Sequence, residues 1–333
     1  MAVAPLSFPE SIPDSYPIIE GEPAFEANTH LSLERPTNVV TLDGFGYDKA
    51  TSDSAPTTMA MAGPFRILSD EGVAVMRESA RAFRRLNART EGDPRAGYVK
   101  PRGSAYSSRF LREFCACPEV TDFFSDIAGI ELIGHAMPTI RSTLVFDPEN
   151  FEQSQQGWHL DTIGFACVIA LHDPATLDGG RFQYFAGTRA QVAEHCACAE
   201  EDLIMSVGRL TDLPPDTVRT VAYTAPGYGL LMQGNYVLHR GEPMAGPGER
   251  IIFAPGYMAA DPSIPDVVQW SEIRRFNSPA LVAEYARYKA WRAQTKLAAF
   301  VREASLESDA GELKASLLDA MNELQPFVDD VTS

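Results

Sequence analysis

Positive charge is in short supply: 28 Lys and Arg stand against 45 Asp and Glu, a net charge of −17. Such a surface repels phosphate, which argues against nucleic acid and against an anionic membrane as partners. Long apolar runs are missing as well. Stretches such as Phe165 to Leu171 fall well short of the about 20 residues that a membrane-spanning helix needs. The opening residues, MAVAPLSFPESIPD, have neither the basic region nor the apolar core of a secretory signal, so a cytoplasmic protein is expected. Cysteine is scarce, and the five present include two C-x-C pairs, Cys115/Cys117 and Cys196/Cys198. An odd count in a cytosolic chain speaks against a disulfide framework, and zinc sites favour C-x-x-C, so these thiols read as buried and free.

What is present is the material of a sizeable core, 45% hydrophobic and 10% aromatic residues. Residues 1–63, rich in Pro, Ser, Thr and Asp, read as an irregular arm draped over that core, with a short strand near Asn38 to Leu42. Residues 64–130 read as helical support. Ser69 and Asp70 supply an N-cap, and Val73, Met76, Ala80 and Phe83 follow at helical spacing. From 131 to 257 short strands alternate with glycine and proline turns, which indicates a β-sandwich or a double-stranded β-helix. Phe165 to Leu171 reads as a strand buried on both faces. Asp178-Gly179-Gly180 reads as a tight hairpin returning through Arg181 to Phe185. A polar insertion occupies about 190–215. Residues 258–333 read as helices, with Leu281, Tyr285, Tyr288 and Trp291 buried on the first. Leu313, Leu317, Met321 and Leu324 would be buried on a last one that stops at Pro326. No repeat or linker divides the chain, so one domain is expected.

The candidate chemistry begins at Gly157-Trp158-His159-Leu160-Asp161. Residues i and i+2 of an extended segment share a face, so His159 and Asp161 are presented together and Leu160 turns away. His239 in GNYVLHRGEP is the best-placed third ligand. Two histidines and a carboxylate that leave other positions open form the facial triad of non-haem Fe(II) oxygenases. His172, at the end of an apolar strand, reads as structural, and His30 and His195 read as surface residues.

Taken in order, GWHLD, a buried strand, DGGRF and HRGEPMAGPGER resemble the Fe(II)/2-oxoglutarate-dependent dioxygenase superfamily. The W-H-x-D opening is similar to phytanoyl-CoA dioxygenase-like members, and the His-x-x-x-Pro followed by Gly-x-Arg to prolyl-hydroxylase-like ones. The resemblance runs from about Ile130 to Tyr257 and implies a mainly β, double-stranded β-helix (jelly-roll, cupin-like) core flanked by helices. It implies His159, Asp161 and His239 as iron ligands, and Arg250 as the partner of the distal carboxylate of 2-oxoglutarate. An arginine suits that carboxylate because its planar fork makes two parallel charge-assisted hydrogen bonds. Fe(II), 2-oxoglutarate and O2 are the implied cofactors.

Two departures matter. Where phytanoyl-type members often carry Ser two residues after the distal His, this chain has Gly241, and Tyr184 and Thr188 are the candidate replacements. Related halogenases replace the carboxylate ligand by Gly or Ala to admit halide, whereas Asp161 is present here. That favours hydroxylation, desaturation or ring closure of a small-molecule substrate. Arg102, Tyr106, His135 and Arg141 lie upstream, where substrate contacts are expected, and the arginines suit an amino acid or other organic acid. Two rivals remain, a Zn(II) enzyme that activates water on the same triad, for which Arg250 has no role, and a non-catalytic jelly-roll binding protein.

Overall fold

The computed structural model describes residues 16–86, 103–146, 157–203, 210, 213–275 and 278–331. The chain divides into two compact units, Ile12–Met258 and the helices that follow from Ala259.

The larger unit is built on strands β1 (Val39–Thr41), β2 (Met59–Arg66), β3 (Leu132–Gly134), β4 (Thr143–Phe146), β5 (Phe165–Ala170), β6 (Phe182–Phe185), β7 (Val218–Val221), β8 (Tyr228–Met232), β9 (His239–Gly241), β10 (Ile251–Ala254) and β11 (Gly256–Ala259). One sheet runs β1-β2-β8-β5-β10-β4, with β11 pairing β3 and β5, and the second runs β7-β6-β9. Neighbours along both runs, and β11 with β5, pair antiparallel. Between the sheets lies an apolar layer in which Met61, Ala166, Leu230, Met232 and Ile252 of the large sheet meet Phe182 of the small one. Two antiparallel sheets closed over such a layer make the jelly roll.

Strand alternation explains why Phe165 to Leu171 is apolar throughout. Ala166 and Ala170 enter the inter-sheet layer, while Phe165, Cys167 and Ile169 pack outward on helices. Those helices are Asp70–Leu86, Arg109–Ala116 and Pro118–Ala128, which bury Met76, Phe83, Phe110, Phe114 and Phe124 against the sheet. The first begins where its cap was read, the amide of Gly72 donating to Ser69 Oγ at 3.0 Å.

Several expectations are corrected. The described part of the N-terminal arm is not irregular throughout: β2 crosses the boundary at 63 and sits between β1 and β8 in the large sheet. Burial of Met59, Met61 and Phe65 on its two faces gives that strand its place. Residues 178–180 do not join two partners of one hairpin, because β5 and β6 belong to different sheets. The turn, with Gly179 at φ 88° and Gly180 at φ 72°, carries the chain from one sheet to the other. His30 is buried, not superficial: its Nδ1 accepts the amide of Glu26 and its ring meets Phe110.

In the C-terminal unit, Ser278 caps the helix Pro279–Glu303 and Leu281, Tyr285, Tyr288 and Trp291 are buried as read. The next helix, Ala310–Asn322, ends earlier than read, and Pro326 lies in the first turn of a further helix, Gln325–Val331. Leu317, Met321 and Leu324 are exposed. The inward side is taken instead by Ala320 and by Glu323, whose carboxylate meets Lys289, Arg292 and Lys296 at 3.0, 2.8 and 2.8 Å. Among the described residues, no helix is long and apolar enough to cross a membrane.

Candidate metal centre

His159, Asp161 and His239 converge, with one potential ligand atom from each lying within 4.8 Å of the others. Asp161 Oδ1 is 3.9 Å from His159 Nε2, and its Oδ2 is 3.8 Å from His239 Nε2. His239 opens β9. His159 lies in an extended segment joined to it by a bridge, each amide donating to the other residue's carbonyl at 2.9 and 3.0 Å. Each imidazole is oriented the same way, His159 Nδ1 facing the Gly157 carbonyl at 3.0 Å and His239 Nδ1 the Val237 carbonyl at 2.9 Å. A protonated Nδ1 donating to a carbonyl leaves Nε2 as the basic nitrogen, which is how metal-ligating histidines are held. Phe182 stacks on the His239 ring at 5.5 Å.

The triad opens into a cavity of about 90 Å³ between the sheets, whose wall includes Val145, Ile163, Phe182, Arg250 and Ile252. Arg250 is buried, and its Nε donates to the carbonyl of Gly180 at 2.8 Å. Gly180 is needed there for space, since a Cβ on it would lie 2.8 Å from Met244 Sδ and 3.0 Å from Arg250 Cδ. Tyr223 is buried near the Arg250 charge, and its hydroxyl donates to the Val168 carbonyl at 3.0 Å. Burial drives that phenol well above its ordinary pKa, against the pull of Arg250. The residue went unnoticed in the sequence because its only signal was a tyrosine just beyond a short strand.

The other candidates fall differently. Tyr184 lies opposite His239 in the β6–β9 register but outside the cavity wall. Thr188 caps the helix Arg189–Cys196 in a capping box with Gln191 and is spent there. His135 and Arg141 are buried together away from that wall, Arg141 Nε donating to the His135 carbonyl at 2.7 Å. Tyr106 packs against Tyr16, with ring centroids 4.6 Å apart. Arg102 lies outside the described residues. His172 is structural as read, its Nδ1 at 3.1 Å from the Ile251 carbonyl.

The insertion packs behind the ligand segment. Val192, Ala193 and Leu203 form one apolar cluster with Trp158 and Leu160, the two residues flanking His159. On the same side, the Arg240 guanidinium lies 4.5 Å from the Trp158 ring and its Nε donates to Gln183 Oε1 at 2.8 Å. Among the described residues the metal-capable group contains no cysteine, and none of the five cysteines forms a disulfide; Cys196 and Cys198 are half-buried, not buried as expected.

A jelly roll with two histidines and one carboxylate in its mouth defines the class of non-haem metal centre. The halogenase D family model matches residues 57–267. The chain belongs to this family, a halogenase family of the Fe(II)/2-oxoglutarate-dependent oxygenase superfamily. No curated protein matches. Among solved structures, the 2-oxoglutarate-dependent carbocyclase SnoK from nogalamycin biosynthesis is similar at 15% identity, covering 67% of this chain and 87% of its own, with TM-score 0.45. HygX from Streptomyces hygroscopicus, with nickel and 2-oxoglutarate bound, is similar at 14% identity over 63% of this chain and 85% of its own, with TM-score 0.40. The epimerase SnoN is similar at 18% identity over 57% and 73%, with TM-score 0.38.

Proposed function

We propose that this protein is a cytoplasmic Fe(II)- and 2-oxoglutarate-dependent dioxygenase that oxidises a C–H bond of a small molecule. The outcome is hydroxylation, desaturation or ring closure, with release of succinate and CO2. The observation that carries this reading is the Asp161 carboxylate between His159 and His239, in one cavity with the buried Arg250. Bound iron, with 2-oxoglutarate and dioxygen, supplies the oxidising power.

The chain's own residues do the rest. The carbonyls of Gly157 and Val237 hold both imidazoles with Nε2 toward the metal position. Asp161 supplies the negative charge that complements a dication. Arg250, anchored through Nε on Gly180, receives the distal carboxylate in this reading. The apolar wall of Val145, Phe182 and Ile252 keeps water from that pair, which strengthens it. The family's name points to halide transfer, but Asp161 supplies a ligand where a halide would need a vacant position. Substrate oxidation is therefore the reading adopted.

Anaerobic addition of Fe(II) and 2-oxoglutarate should produce a visible metal-to-ligand charge-transfer band that Asp161→Ala and Arg250→Ala each weaken. With oxygen, excess chloride and a panel of small molecules, mass spectrometry should find products that gain oxygen or lose two hydrogens, alongside succinate. A chlorinated product from the wild type would overturn the oxidation reading, and absence of the band would overturn the cofactor assignment.

A further inference from the structure

Gly234 lies in the turn Gln233-Gly234-Asn235-Tyr236 that follows β8, and its carbonyl accepts the amide of Asp161 at 2.8 Å. A Cβ placed on Gly234 would stand 2.1 Å from Asp161 Oδ2 and 2.6 Å from both Cβ and Cγ of the same residue. Those are its three nearest neighbours, and none is the far end of a long flexible chain. The Asp161 Cβ is one bond from a backbone whose amide is tied to Gly234, so the aspartate has little room to yield.

Backbone conformation does not call for glycine here. Gly234 is not among the glycines with positive φ, so its φ is not one that only glycine adopts readily. Room beside Asp161 is the remaining demand. The turn cannot retreat to make that room, because three elements grip it. The Gln233 side chain donates Nε2 to the carbonyls of Thr57 and Met59, beside and within β2. Tyr47 donates its hydroxyl to the Tyr236 carbonyl at 2.7 Å. Arg189, the first residue of the insertion helix, donates Nη1 to the Asn235 carbonyl at 2.8 Å and its amide to Tyr47 Oη at 3.0 Å.

We infer that Gly234 is a positioning residue for the carboxylate ligand: the braced turn is a flat wall against which Asp161 is set. Residues 161 and 234 are then mutually dependent. A carboxylate at 161 requires glycine at 234, whereas a residue without a side chain at 161 does not. The inference rests on reading the triad as the metal centre.

The test is a double-mutant cycle of Gly234→Ala, Asp161→Gly and the pair combined, read out as apo Tm and as Kd for Co(II), a spectroscopic stand-in for Fe(II). Gly234→Ala in the wild type should lower the apo Tm and raise the Co(II) Kd at least tenfold. Asp161→Gly should raise the Kd with little change in apo Tm. Adding Gly234→Ala to Asp161→Gly should cost nothing more in either readout. If Gly234→Ala alone does not fold, recovery of folded protein in the double variant supports the inference and its loss there overturns it. Equal Tm losses in both backgrounds would assign the glycine to the turn itself and overturn it, as would an unchanged Kd in Gly234→Ala. Equal Co(II) binding by wild type and Asp161→Gly would instead refute the metal centre, and the stability half of the cycle would still decide the pairing.

Discussion

Replacing His172 by glutamine should flatten the acid side of the stability profile, and the size of the change can be worked out in advance. Burial holds the His172 imidazole at a pKa of about 4 against an ordinary 6.5. The Ile251 carbonyl pulls it up, and the Arg250 charge adds to the depression. Because the folded value is depressed, the folded state refuses a proton that the unfolded chain accepts. Above pH 6.5 neither state is protonated and nothing is lost. Between 6.5 and about 4 stability falls, and below about 4 the loss levels off. With those two values, the loss is about 2 kcal/mol at pH 5 and about 3 kcal/mol at pH 4. Glutamine stays neutral throughout and keeps a donor for the Ile251 carbonyl. Urea titrations at pH 7.5 and 5.0, followed by far-UV circular dichroism, should therefore show the wild type losing about 2 kcal/mol more than His172→Gln over that interval. Contributions from other groups cancel in the comparison. Parallel losses in the two proteins would show that His172 is not held neutral, and the argument from its burial would fail.

Arg250→Ala should raise the half-saturating 2-oxoglutarate concentration at least tenfold, since truncating one partner of a buried charge pair costs about 2–5 kcal/mol; an unchanged value would reassign Arg250 to structure. Glu323→Ala should destabilise the C-terminal unit by about 3–5 kcal/mol, because it takes the carboxylate from the buried Arg292, while Lys289 keeps that of Asp266 at 2.6 Å. Calorimetry checks it, and a loss under 1 kcal/mol, the range of exposed pairs, would contradict the burial. Leu160→Ala should cost about 2–5 kcal/mol and speed proteolysis within 190–215, since that side chain joins the insertion to the ligand segment. Cleavage rates equal to wild type would separate the insertion from the metal centre.

The metal centre was legible in the sequence to the degree that its geometry is local. His159 and Asp161 share a side because an extended chain alternates, and Leu160 falls on the other side for the same reason. The helix Asp70–Leu86 was legible likewise, since its cap and apolar spacing are properties of consecutive residues. His239 is legible as the best-placed third ligand downstream, Arg250 only through the resemblance, and the structure brings both to the cavity that holds Asp161.

What tertiary structure alone decided concerns partners distant in the chain. Alternation says which residues of β6 share a face, but the sheet that β6 joins depends on where the Gly179-Gly180 turn sends it. The apolar spacing of Leu317, Met321 and Leu324 specifies an amphipathic side without specifying what occupies the core. Glu323 with its three cations does, leaving those leucines and the methionine exposed. Arg141 and His135 carry the residue types of a substrate site, yet both are buried, Arg141 on the His135 carbonyl and the His135 ring on the Met137 amide. Gly234 carries no side chain to draw notice, and its significance arises only where Asp161 fills the space that a Cβ would take. Periodicity is set by neighbours along the chain, whereas a close approach is set by two segments that meet only in the folded state.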